Sequence, residues 1–279
     1  MKRIGFAFNP TQAEAHVLRE RGLAWCAVND LDSWALPAGD LPEDPDLLPR
    51  TDAVVVLGGD GTFLRAARSV AEVDTPILGI NLGKVGFLSK AEQHDLESVL
   101  DQVKAGDYEL EPRLNLDVRI LPAGGDASDE VHIALNEAAV VRGRHARVMH
   151  AAVEVGDSRV ARYVCDGIVV ASPTGSTGYS FSAGGPVIEP TSRSLVVTPI
   201  AAYLTPLRSN VVGPQHVVRV TVEDAFDCLV SIDGRVDMPL QIGDSVEVRA
   251  REKPILFIQP AGALPFWDLL RQKAELLPA

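Results

Sequence analysis

A continuous apolar run, Val54-Val55-Val56-Leu57, leads into Gly58-Gly59-Asp60-Gly61-Thr62, after which Phe63-Leu64 resume an apolar pattern. The letters read as a buried strand, a turn of glycines around one aspartate, and the start of a helix. Glycines let a backbone approach a ligand closely, and the free N–H groups of a helix start favour phosphate. An aspartate there repels phosphate unless it has another task. Two tasks suit it: accepting the proton of a hydroxyl nucleophile, or holding Mg2+. A tight strand-to-helix turn with Asp60 near the N-cap uses the same residues, so this segment alone leaves both readings open.

Two further segments carry chemistry. The stretch from Asp166 through Pro186 places Ser172, Thr174, Ser176, Thr177, Ser180 and Ser182 among Gly175, Gly178, Gly184 and Gly185, and after Asp166 it has no charge. Small residues and hydroxyls make a close-fitting polar wall for sugar and phosphate groups. Tyr179 either stacks on a base or fills core. A loop of this length is uncommon without a function. Asn136-Glu137 interrupts the apolar run 133–141 and is either a satisfied edge position or a ribose-binding amide and carboxylate. The run Arg142-Gly143-Arg144-His145-Ala146-Arg147, followed by Arg159 and Arg162, suits a phosphorylated small molecule or is a solvated face.

Other motifs are missing. Gly79-Ile80-Asn81-Leu82-Gly83-Lys84-Val85 is one residue short of a Walker A loop and has Val for Ser/Thr. No GxGxxG follows a strand, no HExxH or comparable cluster marks a metal site, and no GxSxG marks a hydrolase.

The elements that must position these residues fall into two kinds. Residues 4–8, a helix over 12–21 capped by Thr11 and stopped by Gly22, the strand 53–57, a helix near 63–71 and a strand over 76–80 give a βαβ rhythm. That rhythm argues for a parallel sheet flanked by helices. The proline-rich acidic stretch 30–49 reads as an exposed connection. From Arg113 the pattern turns to period two, with runs at 114–120, 148–155, 217–222, 229–232, 246–248 and 255–258. The turns between them include Gly124-Gly125-Asp126, Gly156-Asp157, Asp233-Gly234 and Gly243-Asp244, so a β-rich, sandwich-like second domain is expected. A last helix starts at Pro265 and carries Phe266, Leu269, Leu270, Lys273 and Leu277 at helical spacing. The expected domains are 1–110 and 111–261, with 262–279 as the closing helix.

Length and charge agree with this division. A chain of 279 residues suits two domains, and 46% hydrophobic against 23% charged residues suits a globular enzyme. With 26 Lys+Arg against 38 Asp+Glu the net charge is −12, which disfavours nucleic acid as a partner. Three cysteines, Cys26, Cys165 and Cys228, are widely spaced and odd in number, and no signal peptide is evident, so a reducing cytoplasm is expected. The longest uncharged stretch, 168–188, is too rich in Gly, Ser, Thr and Pro for a membrane helix, so no membrane is expected.

Taken together, Gly58-Gly59-Asp60-Gly61-Thr62, Gly79-Ile80-Asn81-Leu82-Gly83 with Gly86-Phe87-Leu88, Leu135-Asn136-Glu137, Asp166 through Pro186, Ser231-Ile232-Asp233-Gly234 and Leu269-Leu270-Arg271-Gln272-Lys273 resemble the NAD kinase family. That family transfers a phosphoryl group to the adenosine-ribose 2′-hydroxyl of NAD. The resemblance implies an N-terminal α/β domain and a β-rich C-terminal domain, with the last helix returning to the first. By the same resemblance Asp60 is the general base within the turn Gly58, Gly59, Gly61 and Thr62. Asn136 and Glu137 hold the adenosine ribose and diphosphate region. Thr177, Gly178 and Tyr179 wall the adenine side, with Ser180, Phe181 and Ser182 nearby. Arg147 and Ala201 line the NAD site, Arg65 is a candidate for nucleotide phosphate, and Arg235 either contacts a phosphate or pairs with a neighbouring subunit. Asp166 reaches NAD from a neighbouring subunit, which implies a homodimer or homotetramer. ATP with Mg2+ is the implied donor, and some members accept polyphosphate.

The sequence departs from the family pattern at Ser172 for Thr, Gly178 for Ala, Ala202-Tyr203 for Pro-His, and Arg235 for Gln or Asn. Two rival readings share part of the signal. A lipid- or sphingoid-type kinase has the Gly-Gly-Asp-Gly turn but needs an apolar acceptor pocket and membrane contacts, against the hydroxyl-rich 174–182 and the acidic charge. A non-catalytic NAD-binding regulatory module would bind without turnover, and intact Asp60, Asn136 and Glu137 speak against it.

Overall fold

The computed structural model describes residues 1–41, 46–83, 86–125, 130–143, 147–203, 205–225 and 227–275. The chain divides into two units, Met1–Pro112 with Ile255–Ala279, and Arg113–Pro254.

In the first unit the strand Ala53–Leu57 is five apolar residues, all buried, as a parallel strand covered on both faces requires. It pairs in parallel with Arg3–Phe8 on one side and Ile77–Asn81 on the other. The sheet runs in the order Asp32–Pro37, Arg3–Phe8, Ala53–Leu57, Ile77–Asn81, Ile255–Pro260, Tyr108–Arg113, with the short Ala91–Glu92 also on Ile77–Asn81. The winding reverses between Arg3–Phe8 and Ala53–Leu57. Loops leaving the carboxyl ends of those two strands diverge there, and open parallel sheets bind ligands in the crevice so formed.

Helices Ala13–Val28 and Leu96–Ala105 bury Ala15, Leu18, Leu96, Val99 and Leu100 against Ile4, Phe6, Val55 and Leu57. Helix Asp60–Val70 buries Phe63, Ala66, Ala67 and Val70. The first helix does not stop at Gly22, and its N-cap is Gln12 rather than Thr11. A Cβ at Gly22 would lie 2.5 Å from the Phe6 ring, so this glycine serves close helix–strand packing, not termination. Gly106, with φ 77°, does end the helix Leu96–Ala105 in the left-handed conformation.

Two expectations need correction. Residues 32–37, expected in an exposed connection, form an edge strand in parallel register with Arg3–Phe8. Proline is tolerated there because Pro37 is the last strand residue. Residues 42–45, which include the prolines Pro42 and Pro45, lie outside the described residues. The strand Ile255–Pro260 belongs to the first unit, with Phe257 opposite Ile77 and the Phe257 ring 4.8 Å from that of Phe63. The units therefore part after Pro112 and again before Ile255, not at 110 and 261. A short apolar run fits either kind of sheet, so periodicity cannot say which one it joins. The last helix, Phe266–Glu275, is also in the first unit, and Leu277 lies outside the described residues.

The second unit consists of two six-stranded antiparallel sheets. One runs Ser158–Cys165, Met149–Val155, Val218–Asp224, Ser245–Ala250, Leu116–Leu121, His132–Ala134. The other runs Asn210–Val212, Leu195–Ile200, Gly167–Ala171, Glu137–Arg142, Cys228–Ile232, Val236–Leu240. Alternate residues of both, such as Val118, Ala151, Val153, Val220 and Val248 from one and Val140, Ile168, Val170, Val197 and Val230 from the other, share one core. That is the sandwich the alternating pattern predicts. Asp126 of the expected 124–126 turn lies outside the described residues. Among the described residues no helix is long and apolar enough to cross a membrane.

Cys26, Cys165 and Cys228 are free and buried, and burial pushes their thiols up to about 11, about 11 and about 12. A thiol so placed carries almost no thiolate at neutral pH. Ellman's reagent at pH 8 should therefore titrate none of the three in the folded protein and all three after denaturation; rapid native labelling would contradict this burial.

Candidate active site

The strand Ala53–Leu57 delivers Gly58 and Gly59 at the carboxyl edge of the parallel sheet, beside the winding reversal. A Cβ at Gly58 would sit 2.6 Å from Thr62 Oγ1, so glycine lets the helix turn back directly onto the strand end. Gly59 is the N-cap, and Asp60 is the first helical residue. Its side chain does not cap its own helix. Instead Oδ2 accepts the N–H of Phe87 at 3.2 Å and Oδ1 accepts the N–H of Leu88 at 3.3 Å. Gly86 packs against the same carboxylate: a Cβ there would be 2.2 Å from Asp60 Oδ1. Two N–H donors from one turn therefore fix the plane of the Asp60 carboxylate. Asn81, at the end of the next strand, shapes the loop by donating to the Gly83 carbonyl at 3.0 Å and the Glu92 carboxylate at 3.2 Å. Arg65 lies one turn into the helix and donates to Thr62 Oγ1 at 3.4 Å.

In the second unit Asn136-Glu137 is not a polar interruption of one strand. The chain leaves one sheet after Ala134 and enters the other at Glu137. The N–H groups at this crossing converge on the buried Asp233 carboxylate: Leu135 at 3.0 Å, Asn136 at 2.8 Å and Glu137 at 3.2 Å. Glu137 is itself buried, and burial together with the negative Asp233 pushes its carboxyl up to about 8, opposed by the Tyr179 N–H. At neutral pH Glu137 is largely the neutral acid, able to donate as well as accept. Glu137 Oε2 and Asn136 Oδ1 are buried with no hydrogen-bond partner among the described residues. Glu137 lines a cavity of about 280 Å3 with Ala139, Val141, Tyr179, Leu229, Ser231, Gly234 and Asp237. A cavity walled by aliphatic side chains, an aromatic ring and a few polar groups suits a planar heterocycle with hydrogen-bonding edges.

The hydroxyl-rich segment does something other than the sequence implied. Ser172 donates to the Leu135 carbonyl at 2.5 Å, Ser176 to Pro173 at 2.7 Å, Thr177 to Thr174 at 3.1 Å, and Ser180 pairs with Thr198 at 2.9 Å. Buried Arg113 bonds Thr174 at 3.2 Å. Gly175 packs on the crossing, since a Cβ there would be 2.1 Å from the Asn136 carbonyl oxygen. These hydroxyls lock the loop, and Tyr179 turns to the cavity wall.

The chain is similar to known proteins along most of its length. The ATP-NAD kinase N-terminal domain matches residues 48–108, and the ATP-NAD kinase C-terminal domain matches 135–259. The NAD kinase of Heliobacterium modesticaldum is 35% identical over 99% of each chain. The chain belongs to the NAD kinase family. An NAD kinase from Archaeoglobus fulgidus, solved in complex with ATP, is 29% identical with a TM-score of 0.77 over 99% of this chain and 100% of that one. Yeast NADH kinase, solved with NADH, shares the fold at 23% identity, with a TM-score of 0.86 over 99% of this chain and 87% of that one.

Against the NAD kinase pattern, the structure brings Gly58, Gly59, Asp60, Gly61, Thr62 and Arg65 together in the first unit. It brings Asn136, Glu137, Thr177, Gly178 and Tyr179 together in the second. Gly178 lies beside the acid, where a Cβ would meet Glu137 Oε2 at 3.2 Å, so the usual Ala would crowd this carboxyl. Ser180 faces Thr198, whereas Phe181 and Ser182 are exposed. Arg235 is exposed on the turn after Asp233, and Arg147 and Ala201 are also exposed, Ala201 with φ 48°. Asp166 pairs with Arg142 at 2.8 Å, and Arg159 and Arg162 both pair with Glu223, so much of the basic run is matched by acids. Arg144, His145, Lys84 and Val85 lie outside the described residues.

The sequence reading assigns Asp233 no role of its own, and Arg142, read only within the basic run, pairs with Asp166. Asp233 adopts φ 50° after the strand Cys228–Ile232, and in the sequence the Asp-Gly pair reads as a turn and as part of a family segment, with no role for the carboxylate. Nothing in the sequence links it to residues nearly a hundred positions earlier.

Glu137 titrates near 4.5 when unfolded and near 8 in the fold. Between these values the unfolded chain holds fewer protons, so this group costs stability as pH rises through that window. Glu137→Gln should therefore gain in melting temperature over the parent as pH climbs from about 4.5 to about 8, then level off. A difference independent of pH would show that the carboxyl ionises freely.

Proposed function

We propose that this chain is an NAD kinase that transfers the γ-phosphoryl group of ATP to the 2′-hydroxyl of the adenosine ribose of NAD, giving NADP and ADP. The observation that carries the reading is the Asp60 carboxylate, which is oriented by the Phe87 and Leu88 N–H groups instead of capping its own helix. A helix cap would be consumed structurally; an oriented carboxylate at the carboxyl edge of a parallel sheet can receive a proton.

In this reading Asp60 takes the proton of the 2′-hydroxyl as its oxygen bonds to the γ-phosphorus. The bond from that phosphorus to the β–γ bridging oxygen breaks, and ADP leaves with the electron pair. The glycine turn and the first N–H groups of the helix Asp60–Val70 offer donors to phosphate oxygens, with Arg65 as a nearby cation. Asn136 Oδ1 accepts from a hydroxyl or amino group of the adenosine, and neutral Glu137 bonds the ribose or adenine edge. The Tyr179 ring flanks the base, supported by the locked segment carrying Thr177 and Gly178.

Among the described residues no group of three or more His, Cys, Asp or Glu could hold a metal ion. Mg2+ would be held by the triphosphate oxygens and water, with Asp60 as an available carboxylate. When bound, Mg2+ neutralises charge on the transferring group.

The same reading makes the enzyme a cytoplasmic homodimer or homotetramer in which Asp166 serves NAD bound to a neighbouring subunit, with Arg147, Ala201 and Arg235 at the rim. Solved relatives support the ligand classes, one holding ATP and another NADH. No observation favours a lipid acceptor or a binding-only module.

The test is direct: purified protein with Mg2+ and NAD, given ATP or polyphosphate in parallel, and NADP quantified. NADP with ATP is the expected result, and NADP with polyphosphate as well would widen the donor specificity. NAD binding without any NADP would overturn the kinase. Asp60→Asn should lower kcat by roughly 10²–10⁴-fold while NAD affinity holds; near-normal turnover would remove it as the base. Gly86→Ala forces the Asp60 carboxylate aside and should cost about 10²-fold in kcat, the order expected for a misplaced reacting group. An unchanged kcat would show that its orientation is immaterial.

A further inference from the structure

The last helix of the chain, Phe266–Glu275, carries a cation onto the turn that holds Asp60. Lys273 Nζ lies 3.9 Å from the centroid of the Phe87 ring, and the Phe266 ring lies 6.3 Å from the same ring at a tilt of 43°. Phe87 is the residue whose N–H donates to Asp60 Oδ2, and its neighbour Leu88 serves Oδ1. Lys273, Phe87 and Asp60 are thus linked by one cation–π contact and one hydrogen bond. Burial lowers the ammonium pKa, while the negative charge of Asp60 raises it, so Asp60 also acts on Lys273 through space.

A fixed cation has a purpose at this place. A carboxylate base and a triphosphate repel each other, and a mobile base loses the alignment on which proton removal depends. A lysine on a flexible stem gains definition by resting on an aromatic face, and the ring in turn is held by the cation.

We propose that Lys273 is a positioning residue of the phosphoryl-transfer site: it clamps Phe87 so that its turn holds the Asp60 carboxylate in line, and it balances negative charge beside that base. This inference rests on the NAD kinase reading above. It makes the closing helix a working part of the site, with Phe87 as the connection.

The experiment compares the full-length parent, Lys273→Met and Lys273→Arg in NADP formation from NAD and ATP, with melting temperatures measured alongside. Methionine keeps the stem and removes the charge, whereas arginine keeps a cation able to lie over the ring. Lys273→Met should lower kcat about 10–100-fold with KM for NAD and for ATP within about twofold and little change in melting temperature. Lys273→Arg should recover most of the lost kcat. The proposal is overturned if kcat of Lys273→Met stays within twofold of the parent. It is equally overturned if KM for ATP rises with kcat preserved, which marks a simple phosphate contact, or if both variants lose activity in step with melting temperature. A parent that forms no NADP defeats the kinase reading and this proposal with it, whereas an active parent with an indifferent Lys273→Met defeats the proposal alone.

Discussion

Backbone N–H groups at the places where the chain leaves a sheet have no ladder partner, and a buried N–H without an acceptor is costly. Each unit meets this constraint with an aspartate. In the first, Asp60 receives the N–H groups of Phe87 and Leu88, where the chain returns from the strand Ile77–Asn81. In the second, Asp233 receives those of Leu135, Asn136 and Glu137, where the chain passes from one sheet of the sandwich to the other. Much of the local geometry follows from these two acceptors. The loops they satisfy cannot slide, so the side chains those loops carry have fixed directions.

The two aspartates differ in what they leave exposed to chemistry. Asp233 is buried and receives three donors, so it acts as a structural anion, and its charge works on the neighbouring Glu137. Two carboxyl groups buried close together cannot both ionise cheaply, and the one with fewer donors yields. Asp233 receives three N–H groups, whereas Glu137 receives one and its carboxyl is pushed up to about 8. Asp60 is only partly buried, with one donor for each oxygen, so its carboxylate is oriented but still accessible to a substrate proton. The neutral acid at Glu137 thus arises from its environment, not from its residue type.

The legible parts of the sequence were those in which a single physical cause sets the pattern. The apolar run 53–57 could hardly be anything but a doubly covered strand, and the alternation after Arg113 required one wet and one dry face. Glycine was harder to read, because one letter answers to several causes. Gly22 admits the Phe6 ring, Gly58 admits Thr62, Gly175 admits the Asn136 carbonyl, and only Gly106 among these ends a helix with a positive φ. The serines and threonines of 172–180 read as a ligand wall because side-chain hydroxyls look free in one dimension; in the fold most of them bond backbone carbonyls close by in sequence or at the sheet crossing. Asp233 and Lys273 lay beyond local patterns, since their partners are set by the fold and not by spacing.

The misassigned strand Ile255–Pro260 shows how deep that limit runs. It stands between Ile77–Asn81 and Tyr108–Arg113 in the first sheet, so that sheet lacks an interior strand until the chain has passed through the whole of 113–254. Residues 1–112 alone would present the edges of Ile77–Asn81 and Tyr108–Arg113 without the strand that pairs them, an exposed template for wrong association. The first unit is therefore assembled from both ends of the chain, and its contacts are among the most distant in sequence, a topology that slows folding. What that arrangement provides is placement. The strand at 255–260 leads within six residues into the helix that sets Phe266 and Lys273 against Phe87, beside the turn that orients Asp60. A closing helix tied to the sheet by its own strand has a fixed starting point, and a cation meant to act on one carboxylate requires that.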